Sequence, residues 1–204
     1  MSEFDQKAGD WDKNRMNLER TEAVAAQLKK LIPNRPGLSA LEFGAGTGLL
    51  SFHLKDRFSE ITLMDSSKEM LNVAEKKMDE SERSKFRTMF LDLENEEYRG
   101  GYFDVIYSQM VLHHIKDTRA ILMKFHQMLN PGGILVIADL YSEDGSFHDL
   151  NMEVHPGFDP EKLKSMLSQN GFQDCQASEC FVIRKETSAG KVKEYPVFLL
   201  SAFK

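Results

Sequence analysis

Cysteine is nearly absent from this sequence, with two residues in 204, Cys175 and Cys180. On a strand their odd separation puts them on opposite faces, which excludes a disulfide between them and a shared metal. Two lone thiols behind a charged N-terminus that lacks a leader-like apolar stretch give a cytoplasmic setting as the expectation. Long apolar runs are missing too. The longest are about five residues, as at Ile134–Ala138, against the roughly 20 that a membrane-spanning helix needs, so no membrane span is expected. Positive charge is also scarce, with 26 Lys and Arg against 32 Asp and Glu and a net charge of −6. A dedicated nucleic-acid binder concentrates Lys and Arg against phosphates, so no nucleic-acid partner is expected. Internal repeats and low-complexity segments are absent as well, and what is left reads as one globular domain.

What is there alternates. Asn17–Ile32 carries Leu18, Ala25, Leu28 and Leu31 or Ile32 at helical spacing and stops at Pro33. Leu38–Phe43 reads as a strand, followed by three glycines and a helix to about Phe58. Ile61–Met64, Phe86–Leu91, Tyr102–Tyr107 and Ile134–Ala138 read as further strands. Helical runs at Lys68–Asp79 and Thr118–Leu129 separate them, and Pro131-Gly132-Gly133 reads as the turn into the aliphatic Ile134–Ala138. A helix at Pro160–Asn170 precedes two final strands, Gln173–Arg184 and Val192–Phe203, joined by the turn-like Thr187–Gly190. Strand–helix alternation predicts a parallel sheet covered on both faces, and the helix-free last connection predicts an antiparallel end. Tyr141–Phe158 is long and too polar for core, as functional lids are.

The segment Leu41–Leu54, LEFGAGTGLLSFHL, holds Gly44, Gly46 and Gly48 between a strand and a helix. Glycine tolerates positive φ and lets a ligand touch the main chain, and the amides at the start of the helix favour an anion. No Lys-Ser or Lys-Thr follows, so the phosphate-loop pattern fails. The dinucleotide pattern GxGxxG fits poorly, because Leu49 takes the place of the third glycine. A nucleotide-dependent oxidoreductase stays open as a rival, since Asp65 lies near the offset of a ribose-binding acid. Glu42 and the glycines follow the first strand, Asp65 ends the second, Asp92 the third and Ser108 the fourth. In an open parallel sheet those ends converge on one crevice.

LEFGAGTG, TLMDSSKEML, LDLEN, FDVIYSQMVLHHI and LNPGGILVIAD together resemble a class I S-adenosylmethionine-dependent methyltransferase, most closely the small-molecule branch that includes quinone C-methyltransferases. The resemblance covers about Leu41–Asp139. It implies a Rossmann-like, doubly wound, mostly parallel seven-stranded sheet with an antiparallel C-terminal strand. On this reading residues 1–33 form a helical cap, 38–140 the cofactor-binding core, 141–158 a lid-like loop and 159–204 the closing helix and strands. It implies S-adenosylmethionine as cofactor and a small-molecule acceptor. Asp65 would hold the ribose hydroxyls and Asp92 the adenine amino group, with the Leu93 amide on a ring nitrogen and Ser66 and Leu93 flanking the base. The main chain of Gly44, Ala45, Gly46 and Gly48 would meet the methionine end, with Gly44 or Ser108 carbonyls and Glu42 near its ammonium.

The acceptor is far less legible. Ser108-Gln109-Met110-Val111 lacks the Asn/Asp-Pro-Pro-aromatic tetrapeptide of many amino-group methylating members, and two cysteines are too few for arsenite chemistry. Protein or RNA methylation, and cofactor binding without catalysis, remain alternatives. Phe4 and Trp11 resemble the segment that caps the pocket, and Met110 reads as a pocket wall. His113, His114, Asp139 and His155 are the polar candidates beside it. No residue is assigned a catalytic role, and no metal is expected, with His148 and His155 beside Asp149 or Glu153 showing no recognised ligand spacing.

Overall fold

The computed structural model describes residues 3–148, 154–186 and 190–204. Strands β1 (Ser39–Phe43), β2 (Glu60–Asp65), β3 (Phe86–Phe90), β4 (Phe103–Gln109), β5 (Leu129–Leu140), β6 (Gln173–Glu186) and β7 (Val192–Phe203) form one sheet ordered β3-β2-β1-β4-β5-β7-β6. Pairings among β1 to β5 are parallel, and β7 runs antiparallel to both β5 and β6. The expected sheet with its antiparallel C-terminal strand is the one that forms. The helices are α1 (Glu3–Lys7), α2 (Arg15–Leu31), α3 (Leu49–Leu54), α4 (Lys68–Lys77), α5 (Thr118–Met128) and α6 (Pro160–Gln169). Among the described residues no helix is long and apolar enough to cross a membrane.

Both faces of the sheet are covered, which is why its central strands are apolar at successive positions. On one face Ala40, Val105, Tyr107 and Val136 pack with Val24 and Leu28 of α2, Leu50 and Leu54 of α3 and Leu71 and Ala74 of α4. On the other, Leu41, Ile106, Leu135 and Ile137 pack with Ile121 and Phe125 of α5 and Leu163 and Leu167 of α6. Cys180 joins the first cluster and Cys175 the second, so the two thiols do lie on opposite faces. Helix starts follow local chemistry. Asp117 accepts from the Ala120 amide at 2.9 Å, and Asp159 accepts from the Glu161 amide at 2.9 Å with Pro160 at the first helical position.

Four sequence expectations change. The buried stripe of α2 is Asn17, Arg20, Thr21, Val24, Ala25 and Leu28, while Leu18 faces outward at 39% exposure. The apolar periodicity misleads there because the first half of α2 lines a cavity with Asn17, Arg20 and Thr21. The helix after the glycines ends at Leu54 and tightens into a 3-10 turn, Lys55–Arg57. Pro131-Gly132-Gly133 lies inside β5, at an irregular register between Phe103 and Val105 of β4. Gly132 bonds Lys204 there, its amide donating at 3.0 Å from a backbone with φ 74°.

The fourth change concerns Tyr141–Phe158. Its two described ends are tied together: the Ser142 amide donates to Phe158 at 2.9 Å and the Glu143 amide to Pro156 at 2.8 Å. Phe147 within it is core. Asp149 and Glu153, like Thr187–Ala189 of the proposed turn, lie outside the described residues.

Because β1 sits between β2 and β4, the chain leaves β1 toward β2 and β3 and later returns to its other side. The divergence opens a crevice beyond the carboxyl ends of the strands.

Candidate active site

A cavity of about 690 Å³ fills that crevice, within the roughly 300–1,000 Å³ typical of small-ligand sites. Its wall over β1, β2 and β3 gathers the residues singled out from the sequence. Gly44, Ala45 and Gly46 line it with Asp65 and Ser66, and Asp92 and Leu93 close the far side. Glu42 lines it from below. Two candidates do not reach it. Gly48 packs inward, where an added Cβ would lie 3.0 Å from Leu63 and 3.2 Å from Phe52. Ser108 is buried, and its hydroxyl has no partner among the described residues.

The three glycines are bare for different reasons, although all have positive φ. At Gly44 a Cβ would collide with the side chain of Val111. Gly46 has room for one, and its amide donates to Asp65 Oδ2 at 2.7 Å. Asp65 Oδ1 accepts from the Ser67 amide, also at 2.7 Å, so this carboxylate ties the glycine turn to the start of α4. Burial raises its pKa, against the pull of those amides. Asp92 holds its own turn, accepting from the Glu94 amide at 3.1 Å and Asn95 Nδ2 at 2.8 Å. The neighbouring Leu93 amide has no acceptor among the described residues, although its carbonyl accepts from Lys124.

Glu42 is 3% exposed and lies beneath the turn. Its Oε2 accepts from the Ser51 amide at 3.2 Å and from the Ser51 hydroxyl, which also meets Tyr107 Oη at 2.7 Å. It therefore fixes the end of β1 to α3 and, through the Ser51 hydroxyl, to Tyr107 of β4. Burial pushes its pKa up to about 8 from 4.5. A carboxyl that keeps its proton to higher pH when folded contributes stability that is full below about 4.5 and lost as pH rises toward about 8. Across that window the stability of the wild type relative to Glu42→Gln is expected to fall by roughly 1 kcal/mol per pH unit. Urea unfolding of the ligand-free proteins at stepped pH measures this, and parallel curves would place Glu42 in a wetter site.

The other half of the cavity is lined by the end of β4 and the turn after it, by Phe147 and His148 after β5 and by Lys185 of β6, together with the N-terminal segment. Phe4 and Trp11 line it, and Phe4 meets His114 edge-on at 5.2 Å. That segment is pinned by Thr47 donating to Asp12 at 2.5 Å, by Ser67 donating to Asp5 at 2.6 Å and by Lys77 bonded to Asp12 at 2.6 Å. Met110 forms wall, held at φ 58°, a left-handed conformation unusual for a side chain of this size.

His113 Nδ1 lies 2.6 Å from Asp139 Oδ1, both fully buried, and Asp139 also accepts from the His113 amide at 3.3 Å and the Leu140 amide at 2.7 Å. Asp139 thus orients His113 and, contrary to the expectation that placed it among the polar candidates beside the pocket, is not itself on the cavity wall. His155 is not on the wall either; its ring packs on Phe158 at 5.4 Å and its amide donates to the His113 carbonyl at 2.8 Å. Its place is taken by His114 and His148, whose ligand-capable nitrogens lie with that of His113 within 4.8 Å of one another. Burial and the two neighbouring histidines lower the His114 pKa to about 3, so its ring is neutral at physiological pH.

Sequence reading missed Arg20, Thr21, Gln109 and Lys185, which all line this half. Arg20 is 4% exposed. Burial brings its pKa down to about 10, which leaves it charged near neutral pH. The available signal was on α2, where Asn17, Arg20 and Thr21 occupy i, i+3 and i+4 of the stripe continued by Val24 and Leu28.

This geometry has counterparts. A family profile described as a methyltransferase domain matches residues 16–177. An uncharacterized methyltransferase of Schizosaccharomyces pombe is 30% identical over 167 residues, covering 74% of this chain and 57% of that protein. A trans-aconitate 2-methyltransferase of Deinococcus radiodurans is 31% identical over 130 residues, covering 63% of this chain and 48% of its own length. The chain thus spans about half to three-fifths of the length of these two relatives. Among solved structures, phosphoethanolamine N-methyltransferase 2 of Haemonchus contortus, in complex with phosphomonomethylethanolamine and S-adenosylhomocysteine, superposes with a TM-score of 0.72 at 18% identity. That match covers 90% of this chain and 52% of the other. The fold is the same, and with the profile spanning most of its length the chain belongs to the methyltransferase-domain family.

Proposed function

We propose that this protein binds S-adenosylmethionine across the glycine turn, Asp65 and Asp92, and transfers its methyl group to a small molecule held in the half of the cavity lined by Arg20, Gln109 and His113. The observation that carries this reading is one cavity with two unlike sides, a main-chain turn with two strand-end carboxylates facing a wall that holds Arg20, Gln109 and His113. The residues fit the cofactor. Each carboxylate oxygen accepts more than one hydrogen bond, so Asp65 keeps acceptor capacity for ribose hydroxyls beyond its two amides. The unpartnered Leu93 amide beside Asp92 suits a ring nitrogen, and the bare backbone at Gly44 admits the amino-acid end.

The cofactor supplies an electrophilic methyl carbon on a positively charged sulfur. The protein orients the acceptor in line with it and excludes water, the role assigned to the N-terminal segment closed over the cavity. Where the acceptor must lose a proton, His113 is the group placed to receive it. Its Nδ1 is engaged by Asp139, which leaves Nε2 as the ring nitrogen not committed to that carboxylate. Residues 1–33 act on this reading as the cap of a single unit. A cytoplasmic setting goes with it, supported by the two free cysteines.

Calorimetry tests the proposal. S-adenosylhomocysteine is expected to bind with a dissociation constant near or below about 10 μM, which is roughly 7 kcal/mol, and NAD not at all. Binding of NAD without either sulfur ligand would overturn it.

A further inference from the structure

The cavity contains a charge with no ion-pair partner among the described residues. Arg20, on the inner face of α2, makes one hydrogen bond among the described residues, from Nη2 to Asn17 Oδ1 at 3.1 Å, and no ion pair. Its Nε is buried without a partner. The nearby carboxylate, Asp139, acts on Arg20 through its field, with no hydrogen bond or ion pair between the two among the described residues; its contacts are with His113 and the Leu140 amide. Beside it on the wall, Gln109 donates from Nε2 to Thr21 Oγ1 at 2.8 Å and leaves Oε1 buried with no partner. Buried polar atoms are nearly always satisfied, and buried charges are paired or bound to a ligand. An unanswered guanidinium and an unanswered amide oxygen on one cavity wall describe the other half of a hydrogen-bonded complex.

We propose that the methyl acceptor carries an oxyacid anion, a carboxylate or phosphate, and that Arg20 binds it while Gln109 Oε1 takes a hydrogen-bond donor of the same molecule. The assignment rests on the methyltransferase reading above and adds the acceptor's chemical class. A planar guanidinium presents Nε–H and an Nη–H side by side, matching two oxygens of a carboxylate or phosphate, which a neutral carbonyl or a halide does not. The position agrees, because Arg20 lies within the field of Asp139 of β5 and Cys180 of β6, whereas Asp65 and Asp92 follow β2 and β3 on the other side of β1. Charge agrees as well. A sulfonium placed in a cavity that already holds a buried guanidinium adds like charge, and an anionic acceptor offsets both.

Thermal unfolding of the protein, with and without saturating S-adenosylhomocysteine, tests this against sodium acetate, sodium phosphate and sodium chloride at matched ionic strength. Acetate or phosphate is expected to raise the wild-type midpoint along a saturating curve by about 3 °C or more, and chloride to give no saturation. In Arg20→Gln that saturation is expected to vanish. In Arg20→Lys, which keeps the charge and loses the fork, half-saturation should need about tenfold more oxyanion. Both variants should retain S-adenosylhomocysteine affinity within about threefold, because Arg20 lies away from the donor half. Which oxyanion saturates at lower concentration separates a carboxylic acid from a phosphate ester. Equal responses to oxyanion and chloride in the wild type, or an unchanged oxyanion response in Arg20→Gln, would overturn the proposal. A purely structural arginine gives that second result, with a lowered midpoint and the same salt response. Loss of S-adenosylhomocysteine binding in the wild type would instead count against the methyltransferase reading.

Discussion

Replacing Asp65 with Ala is expected to weaken binding of S-adenosylhomocysteine by about 1.5–3 kcal/mol, roughly ten- to a hundred-fold, the worth of hydrogen bonds to a charged acceptor. The same change removes the acceptor of the Gly46 and Ser67 amides, each at 2.7 Å. Ligand-free stability should therefore fall too, by about 1–3 kcal/mol. Asp65→Asn separates the two roles. It keeps an oxygen for one amide and loses the charge, so it should recover part of the stability and little of the affinity. Calorimetry with parallel urea unfolding measures both. An unchanged dissociation constant in Asp65→Ala would reduce this residue to a staple between the turn and α4.

The second large effect is expected at Gly44. An alanine there meets two penalties, a positive φ of 66° and a collision with Val111, whose Cγ1 would lie 2.6 Å from the new Cβ. Left-handed backbone costs a non-glycine residue about 1–2 kcal/mol, and forced repacking about 1–3 more. Val111 is β-branched and has few rotamers in which to yield. A stability loss of about 2–4 kcal/mol is expected, with cofactor affinity down at least about tenfold because the turn must move. The other two glycines set a scale. Gly48→Ala meets Leu63 at 3.0 Å and Phe52 at 3.2 Å, while Gly46→Ala meets only Met70 Sδ at 3.9 Å. Chemical unfolding should rank the losses Gly44, Gly48, Gly46. A variant at Gly46 as damaging to stability as one at Gly44 would contradict this packing.

The side of the cavity around the glycine turn could be read from the chain because its parts are local. Each carboxylate follows its strand directly, and parallel strands deliver their carboxyl ends to one edge, so Asp65 and Asp92 were bound to meet the glycine turn. What the glycines do individually was not visible. Gly48 has the same residue type and sign of φ as Gly44, yet it serves packing against Leu63 and not the cavity. Ser108 shows the same limit, since a strand-end position does not say which way a side chain turns. On α2 an apolar count pointed at Leu18, and the structure turned that residue to solvent.

By itself the sequence determined the order of the elements, the parallel sheet with its antiparallel last strand, and the bare turn flanked by acids that suits a methyl donor. Those features follow from short-range periodicity and from residues a few positions apart. Only the tertiary structure decided the other half of the cavity. Arg20 comes from α2, Gln109 from β4, His113 from the turn after it, His148 from the segment after β5 and Lys185 from β6. No spacing links them, because they meet through strand order and loop closure. Whether a guanidinium is solvated or buried without a partner depends on neighbours scores of residues away in the chain, and that burial is what gives Arg20 its meaning.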